Sequence, residues 1–298
     1  MTIRSLQRTI PSHATSDGAG VHLRRSLGAT QMLRHDPFLM LDEFHSDDPQ
    51  DYLPGFPPHP HRGFEAVTYM IDGRMRHEDS IGNRGDLGPG DVQWMKAARG
   101  IVHSEMPQQT QGRMRGFQLW INLPARSKMS PAAYRDIPAA EIPQLALDGG
   151  GVARVIRGTL VQAGGSATGP VVDGGAEADG IGGIGGSAAN CYWDLQLPPG
   201  ARFEAAVPQG DNAFLYCYEG DAAVGPGAGE ALAPRAAGLL GPGDRVGVQA
   251  GAAGARLLFL SGRPIGEPIV QYGPFVMNTR AEIEEAVADF QGGRFVRP

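Results

Sequence analysis

The sequence predicts an all-β protein in which two antiparallel β-barrels are stacked in one chain and a short helix closes the C-terminus. Three observations carry this reading. Apolar residues recur with period 2 between turn signals along most of the chain. Gly (44) and Pro (24) are abundant, which favours turns over long helices. The two halves also repeat one another's motifs, the mark of an internal duplication.

In the first half, residues 64–71 alternate up to Asp72-Gly73, residues 92–95 follow Pro89-Gly90-Asp91, and residues 117–123 stop at Pro124. In the second half, residues 191–197 stop at Pro198-Pro199-Gly200, residues 213–218 at Glu219-Gly220-Asp221, and residues 256–260 form a further strand. Gly88-Pro89-Gly90-Asp91 returns as Gly241-Pro242-Gly243-Asp244, and Tyr69 to Gly73 returns as Tyr216 to Gly220, in each case roughly 150 residues later. The expected division is residues 1–130 and 131–298, with the join around 125–142. Residues 164–189 are Gly-rich with few large apolar side chains and are expected to form a long mobile loop. Residues 225–229 are a smaller loop of the same kind. Thr279 to Glu282 matches a capping box, Ile283, Val287 and Phe290 follow at helical spacing, and Gly292-Gly293 ends the segment, which predicts a helix over about 280–291.

A chain of 298 residues can bury two cores of ordinary size. A hydrophobic fraction of 41% against 19% charged residues fits a soluble globular protein. No apolar stretch is long enough to span a membrane, and residues 1–9 lack the apolar core of a secretory signal, so a cytoplasmic protein is expected. A formal net charge of −6, with no window dense in Lys or Arg, argues against direct contact with nucleic acid. Cys191 and Cys217 fall in expected strands and read as buried free thiols rather than a disulfide.

Histidine is distributed very unevenly. All eight (His13, His22, His35, His45, His59, His61, His77 and His103) precede residue 104. Chemistry that needs imidazole must therefore sit in the first half. His59 and His61 flank Pro60, and residues i and i+2 of a strand share a face. Pro60 donates no backbone hydrogen bond, which places this pair at an edge or strand entry. His103 and Glu105 form a second i, i+2 pair. On neighbouring strands the two pairs bring three imidazoles and a carboxylate around one point, a donor set that suits Fe(II), Mn(II), Ni(II), Cu(II), Co(II) or Zn(II) better than Mg or Ca. A single H-x-H pair is often only surface or core histidine; it is the second pair that points to a metal. Nothing in the spacing pairs His77, Glu78 or Asp79 with another group, so they read as structural. Phe56, Phe64 and Trp94 are either apolar walls of the site or core. His45, beside Asp42 and Glu43, reads as solvated or structural.

Asp36-Pro-Phe-Leu-Met-Leu-Asp-Glu-Phe44, His59-Pro-His-Arg-Gly-Phe-Glu65, His77-Glu-Asp79, Pro89-Gly-Asp-Val-Gln-Trp-Met95, Gly100-Ile-Val-His-Ser-Glu-Met-Pro107 and the run from Gly262 to Asn278 together resemble the pirin family of the cupin superfamily. The resemblance brackets nearly the whole chain, and the Gly-rich 164–189 region departs from it. It implies a bicupin of jelly-roll barrels. The N-terminal barrel would hold one metal, usually iron, at positions that match His59, His61, His103 and Glu105, and the histidine-free second barrel would hold none. In many other cupins the carboxylate ligand follows the H-x-H pair by four residues, which makes Glu65 the rival of Glu105. Several pirins resemble flavonol 2,3-dioxygenases that act on quercetin. On that resemblance the partners are a small flavonol-like aromatic substrate and O₂, and Glu105 is both ligand and catalytic base. Animal pirins resemble transcriptional co-regulators, which gives an alternative of another class: a metal- and redox-dependent binding protein with a protein partner and no obligatory turnover. A metal-using isomerase or hydrolase is a third reading. Pirins are commonly monomers.

Overall fold

Side chains alternate between the two faces of a strand, so a strand buried at every position must be covered on both sides. Phe38–Ser46 and Phe64–Asp72 are of this kind, each buried at its first seven positions. The computed structural model, which describes residues 1–171 and 187–296, explains why. Both strands belong to a seven-stranded antiparallel sheet in the order Ala133–Ile137, Val92–Lys96, Phe64–Asp72, Met114–Asn122, Phe38–Ser46, Val21–Arg25, His13–Asp17. One face looks across a barrel interior to a four-stranded sheet, ordered Phe56–His61, Ile101–Pro107, Met75–Asp79, Arg84–Leu87. The opposite face lies on the second barrel. Val67, Trp94, Phe117 and Leu119 pack there in one apolar layer with Tyr192, Phe214, Tyr216 and Leu258.

Among the described residues the second barrel is one nine-stranded sheet built around the long strands Asn212–Val224 and Arg245–Gly262. Register shifts after Cys217 and Gly220 let these two strands bend round the barrel. Its interior is filled by side chains, among them Trp193, Leu215, Phe203 and Phe259. Cys191 and Cys217 are buried free thiols in this core. The expected all-β architecture of two barrels and one short C-terminal helix is the one observed, with 55% of residues in strands. No helix of the described residues is long and apolar enough to cross a membrane.

Sheet membership crosses residue 130 in both directions. Leu6–Pro11 pairs with Ala236–Leu240 in the second barrel, whereas Ala133–Ile137 pairs with Val92–Lys96 in the first. The expected loop over 164–189 also needs correction at its ends. Gly165–Thr168 pairs with Thr159–Gln162 as a hairpin, because Leu160 and Ala167 are buried together and the Thr159 and Thr168 hydroxyls meet at 3.0 Å. Ala189 opens the strand Ala189–Leu197. Residues 172–186 of that expected loop lie outside the described residues.

The end of the chain returns to the first barrel. The hairpin Val270–Tyr272 and Phe275–Met277 runs beside His61, with a bridge from Arg62 to Phe275. Lys128 is buried and its amine donates to the carbonyls of Gly63 and Val276 and to Asn122 Oδ1 at 2.6–2.9 Å. Helix Arg280–Gln291 starts at the expected capping box: Thr279 Oγ1 accepts from the Glu282 amide, and the Glu282 carboxylate accepts from the Thr279 amide. The helix buries Ile283 and Ala286 against Phe275, Met277 and Phe295. Its buried Asp289 pairs with buried Arg62 at 3.1 Å, and Arg62 lies 4.5 Å from the centre of the Phe295 ring.

The layer between the barrels contains charge as well. Glu65, fully buried, accepts from Ser187 Oγ at 2.5 Å, and burial pushes its carboxyl up to about 7 despite that bond. Two predictions follow from these pairs. Asp289→Ala strands the Arg62 guanidinium and should lower the unfolding free energy by about 3–5 kcal/mol in urea titrations. For Glu65 the folded form holds its proton up to about pH 7 whereas the unfolded form loses it near pH 4.5, so stability falls across that window as pH rises. Glu65→Gln removes this dependence. Its stability relative to the parent should improve by about 3 kcal/mol between those two pH values, measured by urea unfolding at a series of pH.

Candidate metal centre

Phe56–His61 is an edge strand, which is where Pro57, Pro58 and Pro60 can be tolerated without breaking a ladder. Its neighbour Ile101–Pro107 buries every second residue, so His103 and Glu105 face inward together. The register sets His103 directly opposite His59, and Ile101 opposite His61. As a result the three imidazoles crowd together, with ring centres 4.4, 4.6 and 4.9 Å apart. One nitrogen from each of His59, His61 and His103 lies within 4.8 Å of the others. Gly63, at φ +93°, lets the chain leave this strand: a Cβ there would lie 1.9 Å from the Val276 carbonyl oxygen. The close approach of the C-terminal hairpin to His61 therefore requires glycine.

The three rings are set up as donors of lone pairs. Burial, reinforced by the neighbouring histidines, holds His61 and His103 well below the usual imidazole range, so both are neutral. The Nδ1 of His59 lies 2.8 Å from the Pro57 carbonyl, which can only accept, so Nδ1 is the donor there and Nε2 is the nitrogen left for a ligand. His61 Nδ1 and His103 Nε2 are buried with no hydrogen-bond partner among the described residues. Orphaned polar atoms of this kind are uncommon in a folded protein, and a cation shared by three imidazoles satisfies them. The donor set fits a divalent transition metal.

Glu105 is buried within the same interior, but its oxygens are not among the atoms that converge within 4.8 Å. Thr68 Oγ1 is 2.9 Å from its Oε1, and Gln118 Nε2 is 3.0 Å from its Oε2. Each carboxylate oxygen keeps a further lone pair after accepting one such bond. Glu65 stands elsewhere. In Phe64–Asp72 the even positions, Thr68 included, face the interior, and Glu65, Val67 and Tyr69 face the second barrel.

Above the histidines opens a cavity of about 600 Å³, bordered by His59, His61 and Glu105. Phe44, Phe56, Met40 and Trp120 give it apolar walls, and Arg25, held on Asp42 at 2.7 and 2.8 Å, gives it a polar side. This size suits a small organic molecule. Of the other residues singled out in the sequence, Phe64 is buried beneath the site, stacked on Trp120 at 4.2 Å. Trp94 belongs to the layer between the barrels. His45 sits 3.8 Å from Glu43, and Glu78 is an exposed partner of Arg84. Asp79 holds the loop amides of Ile81 and Asn83, in keeping with the structural reading, and also bonds His77, which is buried in contact with His103. Thr68 and Gln118 carry no motif. The register that sets His77 and Asp79 against Glu105 and His103 is not visible in the sequence.

Comparison with known proteins agrees with this architecture. Residues 20–121 match the model of the pirin family, and residues 192–296 match that of the pirin C-terminal cupin domain. A Pseudomonas aeruginosa protein named "Putative quercetin 2,3-dioxygenase" is 50% identical over 282 residues, 94% of each chain. A "Pirin-like protein" of Caulobacter vibrioides is 49% identical over 296 residues, covering 99% of this chain and 100% of its own. The crystal structure of a quercetin 2,3-dioxygenase from Acinetobacter baumannii superposes with a TM-score of 0.82 at 33% identity, over 98% of both chains. By identity, coverage and fold, the chain is a member of the pirin family.

Proposed function

We propose that this pirin is a metal-dependent dioxygenase of the quercetinase type, which binds one divalent transition metal, iron(II) foremost, through His59, His61, His103 and Glu105 and opens flavonol-like substrates with O₂. The observation that carries the reading is the convergence of three imidazoles, two of them buried and held neutral, at the floor of a cavity with both apolar and polar walls. The names of the two dioxygenase relatives support the substrate class.

When bound, the metal supplies Lewis acidity toward an enolate or phenolate oxygen and access to the redox chemistry of O₂. The residues of the chain do the rest. Three neutral imidazoles and one carboxylate leave a divalent centre with a net charge of about +1, which favours an anionic oxygen ligand. Phe56 and Trp120 offer aromatic surface to a planar substrate, and the Arg25–Asp42 pair offers donors and acceptors to its ring hydroxyls. Glu105, steadied by Thr68 and Gln118, accepts the proton of the substrate 3-hydroxyl. In the overall reaction both atoms of O₂ enter the products, and one ring carbon leaves as carbon monoxide.

The direct test is anaerobic loading with iron(II), followed by quercetin and O₂. The expected result is loss of the flavonol absorbance with one carbon monoxide released per turnover, and Glu105→Gln should slow this by about a hundredfold or more. His103→Ala should reduce retained metal by at least about tenfold, read by elemental analysis of the purified proteins. A loaded protein that leaves the flavonol band intact and releases no carbon monoxide would exclude the quercetinase reading. Partner capture that differs between the Fe(II) and Fe(III) forms would then favour the regulatory alternative.

A further inference from the structure

We infer that Asp79 and His77 form a hydrogen-bonded relay that fixes His103 in the tautomer presenting Nε2 to the metal. The inference rests on the reading of His103 as a ligand, and it concerns positioning rather than contact with substrate.

The relay follows from counting donors and acceptors. Asp79 Oδ1 accepts from the amides of Ile81 and Asn83, each at 3.0 Å. Its Oδ2 accepts from Asn83 Nδ2 at 2.8 Å and faces His77 Nε2 at 3.2 Å. A carboxylate only accepts, so the hydrogen between Asp79 and His77 belongs to His77 Nε2. If the His77 ring carries a single proton, that proton is spent on Asp79 and Nδ1 is left as an acceptor. The atom it meets is His103 Nδ1, 3.2 Å away. His103 must therefore donate from Nδ1, and its Nε2 carries a bare lone pair. That same Nε2 is buried without a hydrogen-bond partner among the described residues.

The packing holds the relay from both sides. Met75–Asp79 pairs with Ile101–Pro107 so that Asp79 lies opposite His103 and His77 opposite Glu105, placing all four on the interior face. The His77 ring is buried and stacks on Tyr134, with centres 4.6 Å apart and planes at 29°. Tyr134 is itself held, donating to Asp136 at 2.6 Å. A ligating histidine whose second nitrogen is bound in this way is fixed both in ring orientation and in tautomer. With no acceptor at Nδ1, His103 could carry its proton on Nε2, where the lone pair is needed.

The test compares the parent with His77→Phe, which keeps the stacked ring without an acceptor, and with His77→Gln, whose amide can accept from His103 and donate to Asp79. Nitrogen-15 NMR of the metal-free proteins reads the His103 tautomer, and competition with a chelator reads nickel(II) affinity. The expected result is protonated Nδ1 in the parent and in His77→Gln, and a weakening of nickel affinity by about 10- to 100-fold in His77→Phe, largely restored in His77→Gln. A folded His77→Phe protein with parental nickel affinity overturns the relay and leaves the metal site standing. So does a parent His103 with its proton on Nε2, which also decides the matter if His77→Phe does not fold. A parent protein without nickel affinity overturns the metal site and the relay together.

Discussion

The site depends on the contact between the two large sheets. Every inward residue of Phe64–Asp72 and Met114–Asn122 that supports the cavity is backed by an outward residue locked into the second barrel: Thr68 by Val67 and Tyr69, Gln118 by Phe117 and Leu119. A sheet clamped in this way cannot shift without breaking a close-packed layer. The donors to Glu105 are therefore placed by the histidine-free half of the molecule, although among the described residues that half contributes no side chain to the histidine cluster. In this sense the second barrel is the foundation of the first.

Strands covered on both faces cannot send a charge to solvent, so each charge in them needs a partner. The three buried acids in this sheet solve the problem differently. Asp42, on the cavity side, takes both forks of Arg25. Glu43, on the barrel side, binds Arg115 at 2.9 Å and the Tyr216 hydroxyl at 2.9 Å, joining the barrels through polar as well as apolar contact. Glu65 has a hydroxyl from Ser187, and burial raises its carboxyl to about 7, further than the rise of Asp42 to about 6. Buried pairs of this type contribute less to net stability than to a unique arrangement of the parts, since removing one partner is far costlier than never having had either.

What the sequence made legible was local. Period-2 alternation is clear in Ile101–Pro107 and Arg202–Ala206, where one face is covered and the other is not. It is absent from Phe38–Ser46, where both are. The i, i+2 pairing of His59 with His61 needs no knowledge of the fold, and neither does the capping box at Thr279. Contacts set by register were beyond reach: Thr68 and Gln118 around Glu105, His77 against His103, and the hairpin beside His61 all join segments separated by long stretches of chain. Gly165–Thr168 was misread for a related reason. Its composition is that of a loop, and only the strand opposite makes it a sheet.

The return of the C-terminal segment has a consequence for how the site comes into being. The three histidines are all made within the first third of the chain, yet Arg62, immediately after His61, is bound by Asp289, and Gly63 packs under Val276. At the other end, Leu6–Pro11 finds its pairing partner only at Ala236–Leu240. A ribosome that has just released His103 has thus delivered the three imidazoles without the scaffold that holds them in register. The support beneath the histidines is complete only once helix Arg280–Gln291 has docked, so a chain interrupted before it carries the three imidazoles without their full scaffold.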